Sequence, residues 1–203
     1  MSARKAEPGI VPAGQLTAIQ PRMAALPRGS QATLAAGSKA IYPGQGPCQI
    51  SRVIKRVVDG RLLTFYHLIV LDESRCELLI PVEKAQAIGV RALMKKSEIP
   101  KLLAHLQEGV KAADSWKQRA HDNAKLFTSG SPFDLAEIVG SLTELSDLRP
   151  LTIGDSGTLT KARRLLISEI SEATGMTKNM AEEQLDQALN SKTRICEPMQ
   201  PSR

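Results

Sequence analysis

The segment around the single tryptophan of the chain holds the residue types best suited to binding chemistry. If this segment is a helix, five of its residues share one stripe, with Lys117 and Lys125 on either side. The stripe consists of Trp116, Arg119, Ala120, Asn123 and Ala124. A bulky ring beside cations can act as a wedge or stacking plate against nucleic-acid bases, while Lys117, Arg119 and Lys125 neutralise phosphates. The alternative is a core anchor, because large aromatic side chains are usually buried and Phe127 continues the same face.

A second group of cations lies further along the chain, at Lys161, Arg163 and Arg164. Such a group can contact phosphates, and it can equally be a solvated helix face. We retain Arg163 and Arg164 as candidate DNA contacts.

Catalytic and metal-binding patterns are weak. The segment Gly154-Asp155-Ser156-Gly157 resembles the nucleophile segment of trypsin-like proteases, but we expect it to be a capping turn between two helices. A hydrolase that uses Ser156 is therefore only a third hypothesis. The three histidines and three cysteines lack the spacing of a metal site or a disulfide framework. We expect a non-enzymatic protein without a cofactor or a metal.

Charge is distributed unevenly along the 203 residues, whose formal net charge is +6. Residues 33–97 carry ten basic and five acidic side chains, whereas residues 98–192 carry eleven and fourteen. Contact of the helical half with an acidic partner must therefore depend on a local patch. The sequence shows no signal-peptide core and no apolar run of the roughly 20 residues that span a bilayer, so we expect a cytoplasmic protein with no membrane contact.

Composition and periodicity divide the chain into four parts and predict an α+β fold. We expect four parts: a disordered arm over residues 1–33, a small antiparallel Tudor/SH3-like β module with a short linking helix over residues 34–97, an all-helical bundle over residues 98–192, and a tail over residues 193–203. In the β module, Asp59-Gly60 is a hairpin signal between two strand-like runs. In the bundle, the clearest helix begins with Ser131 as N-cap and Pro132 in the first turn.

Five motifs in the same order resemble the CarD/CdnL family of bacterial transcription regulators, over residues 34–192. They are the segment from Ala40 to Gly46, the pair Ile80-Pro81-Val82-Glu83 and Gly89-Val90-Arg91, the Trp-x-x-Arg of Trp116 and Arg119, the segment from Phe133 to Val139, and the segment from Ala162 to Glu169. The first of these is similar to the family's Val-Tyr-Pro-x-x-Gly signature.

The resemblance implies a Tudor-like module that binds the RNA polymerase β subunit and a helical domain that reaches promoter DNA. The family's tryptophan, matched by Trp116, wedges into the minor groove at the upstream edge of the melted region and stabilises the open complex. By the same resemblance, Arg56 and the strand end Leu79-Ile80-Pro81 face the polymerase. The resemblance implies a regulator without catalytic activity, and we expect a monomer.

This chain differs from the family pattern beside the tryptophan. Gln118, Ala120 and Ala124 stand where relatives commonly carry a basic, an aromatic and a larger side chain. Two hypotheses therefore remain. The chain is either a polymerase-bound regulator that contacts promoter DNA, or a divergent paralogue that docks on polymerase or another protein without binding DNA.

Overall fold

The computed structural model describes residues 34–108 and 112–193, without the side chains of 192 and 193. The predicted arm, residues 1–33, lies outside the described residues, as does the predicted tail beyond residue 193. The described part confirms the α+β class, because an antiparallel sheet is followed by a series of helices.

The β module is a five-stranded sheet in the order β4-β3-β2-β1-β5. Its strands are β1 (Lys39–Tyr42), β2 (Gly46–Val58), β3 (Arg61–Val70), β4 (Glu77–Pro81) and β5 (Arg91–Ala92). All four pairings are antiparallel. Asp59 and Gly60 connect β2 to β3 with positive φ at both residues, which is the backbone that a tight two-residue hairpin turn requires.

The core of the β module occupies only one half of the long β2–β3 hairpin. Cys48, Ile50, Leu68 and Val70 are buried there, whereas most residues from Arg52 to the hairpin tip are exposed. Burial raises the pKa of the Cys48 thiol to about 11, so this cysteine is neutral near pH 7 and fills space in the core.

In the part of the chain that the structure describes, six α-helices follow or flank the sheet, and a 3-10 turn over Lys96–Glu98 precedes the second. They are α1 (Val82–Ile88), α2 (Ile99–Glu108), α3 (Trp116–Ser129), α4 (Pro132–Leu148), α5 (Ile153–Thr174) and α6 (Lys178–Thr193). Helix α4 begins at Ser131-Pro132 as predicted. Helix α5 begins earlier than predicted, because Thr152 is its N-cap and accepts a hydrogen bond from the backbone N–H of Asp155.

The early start of α5 corrects the prediction for Gly154-Asp155-Ser156-Gly157. These residues form the first turns of α5 and not a separate turn between helices. The carboxylate of Asp155 binds an arginine, and the exposed Ser156 lies in regular helix. This geometry lacks the histidine-bound aspartate and the strained serine of a nucleophile site.

Helices α2 to α6 enclose one hydrophobic core, centred on fully buried residues such as Leu102, Ile138, Leu142, Leu166 and Leu185. Within the described residues, no helix combines the length and the apolar character needed to cross a membrane.

The β module and the helices belong to the same compact unit. Helix α5 packs on β2, where a Cβ on Gly46 would lie 3.2 Å from the side chain of Leu165. The buried carboxylate of Glu169 accepts two hydrogen bonds from Arg91, at 2.6 and 2.8 Å. An exposed pair, Lys39 and Glu172, adds a second link at 2.6 Å. Charged pairs on α5 therefore connect the helical half to both β1 and β5.

Candidate functional site

Trp116 is the first residue of α3, and its ring is 60% exposed. The Lys117 ammonium group lies 5.8 Å from the ring centroid. The ring therefore belongs to the surface, and the core-anchor interpretation is wrong. Phe127, on the same helix, packs partly buried against the helical core.

The face of α3 next to the ring is open. Ala120 and Ala124 are exposed and too small to cover the indole, and Lys117 and Lys125 are exposed on either side. Lys125 makes only a long contact of 3.9 Å with Asp122. Both lysines are therefore exposed enough to reach an anionic partner, and their predicted contacts with phosphates stay a prediction.

Arg119 does not share this exposure, which corrects its predicted role as a phosphate contact. Its side chain is 4% exposed and forms an ion pair with Asp155, with Nη2 2.6 Å from Oδ2 and Nε 3.3 Å from Oδ1. A guanidinium whose donors are directed at a buried carboxylate cannot also bind a phosphate on the surface. Trp116 and Arg119 share one stripe of α3, but the helical bundle covers only Arg119.

Arg163 is only partly exposed and forms ion pairs with another helix. Its Nη2 lies 2.6 Å from the Asp186 carboxylate and 3.6 Å from Glu182, so it connects α5 to α6. These carboxylates compete with DNA phosphates for Arg163, whose contact with DNA stays a prediction. Arg164 is exposed, but it lies about 13 Å further along α5 than Asp155, at 1.5 Å per residue.

Arg164 lines a cleft of about 410 Å³ between α5 and the β module, together with Asp72, Ser168 and Lys178. A hydrogen bond from the Ser74 hydroxyl holds the pKa of Asp72 below its ordinary value, and the charge of Arg164 acts in the same direction. The structure therefore brings Arg164 to the junction of the two halves and not to the tryptophan.

Two exposed apolar residues at the connection between α4 and α5 were not predicted from the sequence. Leu148, the last residue of α4, is 82% exposed, and Ile153, the first residue of α5, is 95% exposed. Arg149 ties this connection to the start of α3, because its Nη2 donates to the Asp114 carbonyl at 3.4 Å. One feature of the sequence could have indicated that Ile153 lies outside the core. It precedes Leu159, the first apolar position of the α5 core stripe, by six residues.

The predicted polymerase-facing residues divide between two faces of the sheet. Strand register places Leu79 and Pro81 on the same face as Arg56, since β4 pairs with β3 and β3 with β2, and alternate residues share a face. Ile80 points to the opposite face and is 5% exposed in the β core. Its side chain is therefore structural, which corrects its prediction as a contact residue.

No group of three or more histidine, cysteine, aspartate or glutamate side chains in residues 34–108 and 112–193 is arranged to hold a metal ion.

The ion pair with Arg119 lowers the pKa of Asp155. The Arg119 guanidinium holds the pKa of Asp155 below its ordinary value, and the Thr152 hydroxyl adds to this effect against the opposing effect of burial. A lowered pKa in the folded state means that the carboxylate stabilises the fold above the pKa of an unfolded aspartate, about 3.9. The stabilisation is lost progressively as the pH falls below that value.

The variant Asp155→Asn should therefore be less stable than the wild type at pH 7, and the difference should shrink toward pH 3. Urea unfolding midpoints measured across this pH range test the prediction. Asp72, whose pKa is also lowered, remains in both proteins and cancels in the difference. A stability difference that is constant with pH would contradict the assigned ionisation of Asp155.

Residues 101–186 match a family model described as CarD, C-terminal domain. The helical half of this chain is a CarD C-terminal domain. The match covers α3, α4 and α5 completely and includes Trp116, Arg119 and Asp155. It confirms the resemblance to the CarD/CdnL family over residues 101–186, which contain three of the five motifs. The protein is thus CarD-like and transcription-related, in a family of non-enzymatic regulators.

Proposed function

We propose that this CarD-like protein binds the RNA polymerase β subunit through its β module and stabilises the promoter open complex through Trp116. The observation that carries the proposal is the exposed ring of Trp116 at the start of α3 in a CarD C-terminal domain. The regulator acts in the cytoplasm as a monomer and needs no cofactor.

The contact with DNA combines a wedge with two phosphate contacts. The indole occupies a distorted base step in the minor groove at the upstream edge of the melted region, and an occupied step resists re-annealing. Lys117 and Lys125, exposed beside the ring, neutralise neighbouring phosphates. Two lysines on a helical half with more acidic than basic residues provide weak affinity for free DNA.

Docking on polymerase compensates for this weak affinity, because a tethered domain experiences a high effective DNA concentration. The outer face of the sheet carries Arg56, Leu79 and Pro81 and supports an interface with an acidic and partly apolar surface of the β subunit. The ion pair between Arg91 and Glu169 holds the β module against α5. Docking of the β module therefore fixes the orientation of Trp116 relative to the polymerase.

The lifetime of the promoter open complex tests the function. We expect added protein to slow the decay of preformed open complexes after a competitor is added. The effect should weaken with rising salt, since each phosphate contact releases counterions. An unchanged lifetime at protein concentrations that saturate polymerase would refute the proposal.

Charge reversal on the sheet tests the docking surface. Arg56→Glu should weaken retention of the protein by immobilised polymerase, because it places a carboxylate against the proposed acidic surface. Lys101→Glu, an equally large charge change at an exposed site on α2, is the matched control and should bind like the wild type. If both variants are retained as well as the wild type, Arg56 does not lie in the interface.

A second candidate function is an interaction module that docks on polymerase or another protein without contacting DNA. It is favoured by the buried ion pair of Arg119 with Asp155, which removes one cation from the surface of α3 beside the ring. Under this hypothesis, Arg56→Glu abolishes any effect on transcription and Trp116→Ala has none.

A further inference from the structure

We propose that Arg119 is a positioning residue that, together with Asp155, fixes the start of α3 and thereby the orientation of the Trp116 ring. The consequence at the promoter rests on the function proposed above. The positioning itself can be measured in the free protein.

The Arg119 guanidinium binds two elements of the fold at once. Nε and Nη2 donate to the Asp155 carboxylate in the first turn of α5, and Nη1 donates to the carbonyls of Ala113 and Asp114 at 2.8 and 2.9 Å. These carbonyls belong to the segment that enters α3, three and two residues before Trp116, respectively. A single side chain thus ties the approach to the tryptophan to another helix.

This connection takes the place of an ordinary helix cap. Ser115 is the N-cap of α3, but its side chain makes no capping hydrogen bond. The entering segment is held instead by Arg119 and, more loosely, by Arg149, which donates to the Asp114 carbonyl at 3.4 Å. Without the Arg119 contacts, the first residue of the helix would be free to fray, as helix ends commonly do.

The carboxylate that receives Arg119 is itself held in place. The Thr152 hydroxyl donates to Asp155 Oδ2 at 2.8 Å, and its oxygen accepts from the Asp155 backbone N–H at 3.1 Å. An anion in the first turn of α5 is favoured by the helix dipole, whereas the cation of Arg119 near the start of α3 is not. Asp155 therefore offsets the unfavourable interaction of the Arg119 cation with the α3 dipole, and it orients the guanidinium.

The geometry requires arginine in particular. Two parallel donors on one edge meet the carboxylate, and the third nitrogen reaches two carbonyls on the other side. A lysine ammonium keeps the charge but lacks the planar fork that serves both sides together. A wedge acts only when its ring is correctly oriented. The arginine fork therefore holds the Trp116 ring in that orientation before the protein binds DNA.

Fluorescence of the free, full-length protein tests the positioning, since Trp116 is the single tryptophan of the chain. In Arg119→Lys and Asp155→Asn, the anisotropy of Trp116 should decay faster through increased local motion. Arg163→Gln removes an equally close ion pair between α5 and α6, and it should leave the anisotropy decay unchanged. Circular dichroism verifies that each variant is helical.

Thr152→Val provides a milder test in case the charged variants do not fold. It removes the hydroxyl that holds Asp155 and leaves both charges in place, so a smaller change of the same sign is expected. Unchanged anisotropy decay in every folded variant of Arg119, Asp155 and Thr152 would overturn the proposal. A decay in Arg119→Lys equal to that of the wild type would also overturn it, because the proposal requires the arginine fork.

The open-complex assay separates this proposal from the proposed function. If ring motion increases and open-complex lifetime falls in the same variants while polymerase retention is unchanged, both proposals are supported. If ring motion increases but no variant alters the lifetime, Trp116→Ala included, the positioning role stands and the proposed function fails.

Discussion

Trp116→Ala is expected to shorten the lifetime of the open complex by about tenfold or more. Contacts between a base and an aromatic ring contribute about 1–3 kcal/mol in related single-strand complexes, and 1.4 kcal/mol corresponds to a factor of ten. The 60% exposed ring lies outside both hydrophobic cores, so its removal should leave the folded protein and its polymerase docking intact. The measurement is the decay of open complexes after a competitor is added.

Met180→Ala is a matched control for this experiment, because Met180 is a large apolar side chain, 53% exposed, on the separate helix α6. It should behave like the wild type. Trp116→Phe should retain part of the effect, since a smaller ring still fills part of the step. If Trp116→Ala stabilises the open complex as well as the wild type while Arg56→Glu does not, the second candidate function is the correct one.

Glu169→Ala is expected to lower the free energy of unfolding by about 3 kcal/mol or more. Glu169 is 1% exposed and its two carboxylate oxygens accept from Arg91, which also donates from Nε to the Gly130 carbonyl at 2.5 Å. Removing one partner of a buried pair typically costs about 3–5 kcal/mol, because the other charge loses its compensation. Arg91 retains some access to water, which favours the lower end of this range. Urea unfolding measures the change.

Glu172→Ala is the natural control, since Glu172 lies on the same helix and pairs with the β module through Lys39. Both side chains of this pair are partly exposed, so its loss should cost at most about 1 kcal/mol. Equal destabilisation by the two variants would show that burial of Glu169 does not govern the strength of the link between α5 and the β module.

Local signals in the sequence predicted most of the elements. Ser131-Pro132 places the start of α4. Asp59-Gly60 predicts the hairpin, whose backbone has positive φ at both positions. These predictions succeed because caps and tight turns depend on the few residues that form them.

Predictions about burial succeeded less well. Trp116 and Arg119 lie on one helical stripe, yet the first is exposed and the second is buried. The difference arises from Asp155, which lies 36 residues further along the chain and accepts the guanidinium. Helical periodicity describes which residues share a face, and it contains no information about which part of that face a distant helix covers.

The amino-acid sequence alone was sufficient for the α+β class, the order of its elements and a helix over the segment that contains Trp116. These features follow from local propensity, capping and periodicity, which act over a few residues. Tertiary packing was needed to expose the ring, to bury Arg119 and Ile80, and to join the β module to α5 through Glu169. These outcomes depend on contacts between residues far apart in the chain, where ion pairs and core packing decide which side chains keep contact with water.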